Sequence, residues 1–315
     1  LGYLLDREEI TGAIVTKAVC SGGRIDCAVV LAKTRDEILS ARTSKYIDAS
    51  VVSGTLRLLK EHDGPAAVVG LPCHTSALRA IARRDARLGD KIRYIITLFC
   101  NHTSDRYLLD KVLAKEGIDQ ARVREFAFRK GHWRGTMTGV LDDGSEFSFP
   151  FGRFSRYHNL NFFCLTRCLH CHDHTGYESD FSAGDAWLGE MKKEPIKHSI
   201  ILSRNDRATA ILDEMMRSGA LVGRRIDEAT IWRSQKRSLI YHYNVSARAR
   251  AGRRHGLVIK DAVNAKVRWN DLLAAHVILM NYRWSRSETK RDWIFAAPRP
   301  VVTAYFLFLK FLQNF

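Results

Sequence analysis

The chain has 315 residues, 50 Lys+Arg against 34 Asp+Glu, and a formal net charge of +16. That length buries a sizeable core in one large domain or two ordinary ones. With 46% hydrophobic residues, 6 Pro and 21 Gly, the composition excludes general disorder and collagen-like or mucin-like chains. The apolar run at 301–309 is broken by Lys310 and is too short to span a bilayer. Seven Cys is an odd number, in a chain too large to need disulfide staples, and no charged-then-apolar leader opens it. The expected setting is therefore cytoplasmic and reducing, with thiols available to metal.

The elements follow in chain order. Residues 11–19 read as a helix with Thr11 as its N-cap. Residues 27–32 form a short buried strand. Val51, Leu56, Leu58 and Leu59 give helical spacing over 50–61. Residues 66–70 make a second strand, Leu71-Pro72-Cys73 turns the chain, and 75–84 return as a helix. Residues 92–99 make a third strand ending at Cys100, and 104–115 are helical again. Between 123 and 163 apolar and polar residues alternate around Asp142-Asp143-Gly144, a hairpin pattern. A strand at 198–204 and a helix at 206–218 follow. From Asp271 onward the tail is helical, interrupted by Pro298 and Pro300. Strands alternating with helices argue an α/β fold: a mostly parallel sheet with flanking helices, an inserted β-hairpin region and a helical C-terminal tail. We divide it into 1–230, which carries the chemistry, and a basic, mostly helical extension at 231–315.

The sharpest local signal is Cys164-x3-Cys168-x2-Cys171, followed by His172 and His174. A Cys-x2-Cys pair offers two ligands to one metal centre. Cys73 and Cys100 follow successive strands, 27 residues apart, about the length of one βαβ unit. Right-handed crossovers put both at the carboxyl edge of the sheet, where open α/β sheets bind ligands. Cys73, Cys100, Cys168 and Cys171 can therefore converge. Thiolate ligation with irregular, long-range spacing suits an iron–sulfur cluster better than zinc. Zinc stays open because His170, His172 and His174 crowd the pair, and Cys164 is a rival fourth ligand. Cys20 and Cys27 read as small buried hydrophobes.

Residues 231–260 hold eight Lys/Arg and no acid, including Arg248, Arg250, Arg253 and Arg254. No nucleic-acid-binding signature surrounds them. We read them as a solvated face or a docking site for an anionic partner.

Several blocks resemble the coenzyme F-420 hydrogenase/dehydrogenase beta-subunit family. Thr11-Gly12-Ala13-Ile14-Val15-Thr16 is similar to its N-terminal flavin loop. Thr43-Ser44-Lys45-Tyr46 resembles its Gly-Ser-Lys-Tyr element, with Thr43 in the place of Gly. Gly70-Leu71-Pro72-Cys73-His74 resembles the Gly-Thr-Pro-Cys-Gln block, with His74 in the place of Gln. Leu98-Phe99-Cys100, the Cys168–Cys171 pair and Ala183-Gly184-Asp185-Ala186-Trp187 complete the set, in order, between about 11 and 235. Ala13 stands where a second Gly is usual.

The resemblance implies an oxidoreductase subunit with FAD and a [4Fe-4S] cluster. Cys73, Cys100, Cys168 and Cys171 resemble the cluster ligands. Thr11, Gly12, Thr16, Ser44, Lys45 and Tyr46 resemble flavin contacts. No catalytic residue is assigned. A ferredoxin-like segment, common in the family, would lie before Leu1. The implied partners are ferredoxin or a reduced deazaflavin coenzyme, and a small-molecule substrate that the sequence does not name. Nucleic acid is not expected. The aromatic segment at 305–315 is a candidate for peripheral membrane contact. A flavin handles electron pairs or single electrons and a cluster single ones, so together they join a one-electron partner to a two-electron substrate. The competing readings are a non-catalytic electron-transfer or scaffold subunit and a zinc-stabilised nucleic-acid-binding protein.

Overall fold

The computed structural model describes residues 1–314; Phe315, the last residue of the aromatic segment, lies outside them. Helix α1 (Gly2–Asp6) leads into a long hairpin, β1 (Gly12–Ser21) and β2 (Arg24–Ala32). Helices α2 (Arg35–Ser40) and α3 (Val51–Glu61) follow, then β3 (Ala66–Gly70), α4 (Pro72–Ala82), α5 (Ala86–Lys91), β4 (Ile92–Leu98) and α6 (Arg106–Lys115). Next come β5 (Val123–Lys130), β6 (Thr136–Leu141), β7 (Glu146–Pro150), α7 (Gly152–Asn159) and α8 (Thr166–Leu169). Strands β8 (Phe181–Asp185) and β9 (Ser199–Ser203) precede α9 (Asp206–Arg217). The C-terminal region is helical: α10 (Glu228–Tyr243), α11 (Val245–Gly252), α12 (Trp269–Arg286), α13 (Trp293–Ala296) and α14 (Arg299–Asn314).

The main sheet has six strands in the order β2-β1-β3-β4-β8-β9. The pairs β1–β3, β3–β4 and β4–β8 are parallel, and the two outer pairs are antiparallel. The expected α/β fold with a mostly parallel sheet and a helical tail is therefore what the chain adopts. Side-chain alternation along the strands sorts the core onto two faces. Ala13, Val15, Ala67 and Tyr94 pack with Leu4 and Ala208 on one face. Ile14, Ala66, Val68 and Ile95 pack with Leu59 and Leu78 on the other. The inserted region is a separate three-stranded antiparallel sheet, β5-β6-β7. It shares a third and larger core with α6, α7 and the C-terminal helices.

One sequence expectation fails here. Residues 11–19 are not a helix: Gly12 opens β1. The run Ala-Ile-Val-Thr-Lys-Ala-Val has the β-branched content of a strand. It is held on both sides, by Ala13–Ala32 pairing in β2 and Ala13–Ala67 pairing in β3.

Helices α12 and α14 run antiparallel, because Asn270 bonds the carbonyl of Leu312 at 3.1 Å and Tyr305 bonds Asn281 at 2.6 Å. Helix α14 is apolar on both sides. Val302, Leu309 and Leu312 are buried, while Val301, Leu307, Phe308 and Phe311 are exposed. Among the described residues no helix is long and apolar enough to cross a membrane.

Candidate metal centre

The carboxyl edge of the parallel sheet gathers the cysteines. Strand β3 ends at Gly70, and Pro72 starts α4, which Pro favours at its first position. Cys73 is therefore the second residue of that helix. Strand β4 ends at Leu98, and Cys100 lies two residues on, its amide donating to the carbonyl of His174 at 3.0 Å. Short helix α8 carries Cys168, and Cys171 follows it. The thiol of Cys100 lies in the electrostatic field of Cys168, Cys73 and Cys171, that of Cys171 in the field of Cys168 and Cys73, and that of Cys73 in the field of Cys168. Every pair within the four is thus in mutual range. Among the described residues no three His, Cys, Asp or Glu side chains are closed up enough to hold a single metal ion. Four thiolates on one zinc would stand about 3.8 Å apart, the edge of a tetrahedron with 2.3 Å bonds, whereas a cubane cluster spreads its ligands over separate irons.

The donors differ in acidity. Burial pushes the Cys100 thiol well above its usual value and the Cys171 thiol up to about 12. Cys168 is lowered, chiefly by a hydrogen bond from Cys164, with help from the Thr103 amide at 3.4 Å and the Arg167 guanidinium. Uptake of a metal here must displace protons from the raised thiols. Cys164 is fully buried in the large core and its thiol meets Cys168. It stands behind the group of four.

His174 uses one ring nitrogen on the Cys100 carbonyl, at 3.0 Å, and the other on Gln235, at 3.1 Å. His170 accepts from the Lys260 amide at 3.1 Å. His172 is exposed.

The Gly184–Trp187 block braces this edge. Asp185 pairs with Arg129, whose guanidinium lies 5.1 Å from the Trp187 ring centre and donates to the Tyr46 hydroxyl at 2.8 Å. The Asp185 carbonyl accepts from Gln235 at 2.7 Å, which links it through His174 to Cys100.

A second wall, invisible to spacing arguments, comes from α10 and α11. His242 meets the carbonyls of Cys100 at 2.8 Å and Cys171 at 3.3 Å. Tyr241 donates to the Cys168 carbonyl at 3.2 Å. Arg248, only 1% exposed, donates to the carbonyls of Leu169, Cys171 and Tyr241. Arg248 therefore does not belong to a solvated face; Arg250, Arg253 and Arg254 remain exposed.

The six residues that resemble flavin contacts do not form one cluster. Thr11 and Gly12 lie at the amino end of β1, beside Pro65 and Ala66. That is the end away from the cysteines. Thr11 caps no helix there, since the segment is a strand. Thr16 lies two residues beyond the Ile14–Val68 pair and opposite Val29 of β2. The Lys45 ammonium donates to the carbonyls of Ala41, Arg42 and Thr43, and burial lowers it to about 8. Tyr46 packs on Phe151, with ring centres 4.8 Å apart. Beside this loop an open groove of about 500 Å³ is lined by Asp26, Cys27, Ser50, Ser53 and Arg57 among others. It lies at the start of α3, whose Ser50 makes no side-chain cap. Asp48, also on the groove, pairs with Arg167, whose charge acts on the Cys73 thiol.

Thiols gathered at the carboxyl edge of an open α/β sheet are the build of a redox protein. Residues 64–229 match the family model for the C-terminal part of the coenzyme F420 hydrogenase/dehydrogenase beta subunit, and residues 1–57 match the model for its N-terminal part. The chain belongs to this family. It is 29% identical over 229 residues to the coenzyme F420-dependent sulfite reductase of Methanocaldococcus jannaschii, covering 67% of this chain and 32% of that protein. It thus spans about a third of that relative's length. Its fold is similar to a chain of the F420-reducing [NiFe] hydrogenase complex from Methanosarcina barkeri, with a TM-score of 0.57 and 16% identity over 83% of this chain and 87% of that one. The homologues are oxidoreductases, and their common work is electron transfer.

Proposed function

We propose that the chain is an iron–sulfur flavoprotein subunit. It passes electrons between a ferredoxin-like partner, or a reduced deazaflavin coenzyme, and a two-electron substrate. The observation that carries this reading is the mutual approach of Cys73, Cys100, Cys168 and Cys171 at the sheet edge. The donor set is all sulfur, and both ring nitrogens of His174 are engaged elsewhere, which favours a cluster over a Cys/His zinc site. When bound, the cluster supplies one-electron transfer and FAD supplies the exchange between single electrons and pairs.

The groove beside Ser50, Ser53 and Arg57 suits the flavin. Its two carboxylates are neutralised, Asp26 by Arg106 at 2.6 Å and Asp48 by Arg167. The start of α3, which carries no side-chain cap, favours phosphate. The contact Asp48–Arg167–Cys73 connects the groove to the cysteines. Thr16 and the Ser44–Tyr46 loop flank it, whereas Thr11 and Gly12 support β1 instead. For partners, exposed Arg250, Arg253 and Arg254 suit an acidic electron carrier. The outward face of α14 suits peripheral membrane contact.

The test is anaerobic reconstitution with iron, sulfide and FAD, then rapid mixing with reduced ferredoxin or reduced deazaflavin. Bleaching of the flavin band by either donor, abolished in Ser53→Trp, is the expected result. A loaded protein that neither donor reduces would leave the non-catalytic scaffold as the better reading.

A further inference from the structure

Residues 231–315 lie beyond both matched family segments, which end at 57 and 229. Yet α10 and α11 from this extension close over the cysteine loop. The contact that demands explanation is Arg248. A guanidinium is always charged, and this one is 1% exposed. Its Nε donates to the Leu169 carbonyl at 2.9 Å and one Nη to the Cys171 carbonyl at 3.0 Å; the other Nη meets the Tyr241 carbonyl. The Tyr241 ring lies against it, 4.1 Å from the guanidinium carbon. All these partners are neutral. Among the described residues no carboxylate pairs with it. Neither the basic residues around it nor His242 supplies a negative charge.

A buried ion without a counter-charge costs several kcal/mol. Carbonyl dipoles offset part of that cost. The remaining anion is supplied if the four thiols, one of whose carbonyls Arg248 grips, carry a net negative centre. We propose that Arg248, from the C-terminal extension, is the built-in counter-charge of the cysteine centre and raises the reduction potential of the iron–sulfur group bound there. The inference rests on the cluster reading above. Reduction adds one negative charge to the centre, so a fixed cation nearby stabilises the reduced form more than the oxidised form. Burial in a low-dielectric wall keeps that effect from being screened by salt.

The experiment is a redox titration of the reconstituted protein followed by electron paramagnetic resonance, with iron and sulfide measured on the same samples. Three variants are compared with the parent. Arg248→Gln keeps donors for the carbonyls and removes the charge. Arg248→Lys keeps the charge with fewer donors. Lys260→Gln removes an exposed charge of the same extension. With Arg248→Gln, the reduced-to-oxidised ratio at a fixed potential is expected to fall at least tenfold, equivalent to 59 mV for one electron. Arg248→Lys is expected to titrate with the parent, and so is Lys260→Gln, whose exposed charge is screened by salt. A Gln variant that shares the parental potential, or Gln and Lys variants that shift alike, would overturn the proposal while leaving the cluster intact. If the Gln variant holds no cluster, the Lys variant decides: a cluster at the parental potential supports the charge, and its loss there overturns it. A parent that takes up no iron and sulfide overturns the centre itself, and this inference with it.

Discussion

Gly184 lies flat against Phe99, so closely that a Cβ at 184 would stand 2.2 Å from the ring. Phe99 is fixed there because its amide donates to Ala183 at 2.8 Å. The next residue is Cys100. The Gly of the Gly-Asp-x-Trp block is thus a clearance requirement between β8 and the strand-end cysteine.

Gly184→Ala must push Phe99 aside, and overpacking of this kind costs about 1–3 kcal/mol. The expected outcome is a lower Tm and reduced iron content after reconstitution. Gly189→Ala, where nothing lies within 4 Å, should match the parent in both. Calorimetry and iron assay of the two variants check this. Equal iron and Tm in Gly184→Ala would show that the clearance is unimportant.

Thr43 holds φ at 73°, in the left-handed region, where the family's related block has Gly. A β-branched residue is strained there by about 1–2 kcal/mol. Its carbonyl accepts from Lys45 at 2.9 Å, which fixes the loop. Thr43→Gly should therefore stabilise the protein by about 1 kcal/mol, after the added unfolded-state entropy of Gly is subtracted. Denaturant unfolding measures it; a destabilised variant would mean that the loop does not hold this conformation.

His158 is buried, stacked on His102 with ring centres 3.9 Å apart, and bonded to the Ser104 hydroxyl at 2.8 Å. Burial keeps its pKa well below 6.5. In the unfolded chain the ring titrates near about 6.5. Below that pH the unfolded state binds a proton that the folded state refuses. The stabilising contribution is full above about 6.5 and is lost as the pH falls toward the folded pKa. The slope is about 1.4 kcal/mol per pH unit for one such group. His158→Phe should flatten the stability–pH curve between about pH 6.5 and 5 by one proton. Identical slopes for variant and parent would contradict the buried neutral ring.

Much of this was legible in the sequence, for reasons that particular residues make plain. Strands β3 and β4 are short apolar runs bounded by turn residues, and the interval between Cys73 and Cys100 fits one βαβ crossover. β1 was less readable, because Thr11-Gly12 resembles a helix start and a short apolar run has no decisive period of its own. Its pairing with both β2 and β3 determines the outcome. Arg248 reads as a surface charge from its basic neighbours alone. Its acceptors at Leu169 and Cys171 lie 79 and 77 residues earlier, and only the folded chain brings them together.

Cys73, Cys100, Cys168 and Cys171 are proposed to hold one cluster, and Cys164, whose thiol meets Cys168, is not among the ligands. Metal binding is coupled to folding, so removing one true ligand should cost most of the iron. The direct measurement is iron and acid-labile sulfide per chain after anaerobic reconstitution of the parent, Cys171→Ser and Cys164→Ser. Four irons and four sulfides are expected in the parent and in Cys164→Ser, with loss of most of both in Cys171→Ser. Full iron retention in Cys171→Ser, or loss confined to Cys164→Ser, would contradict it.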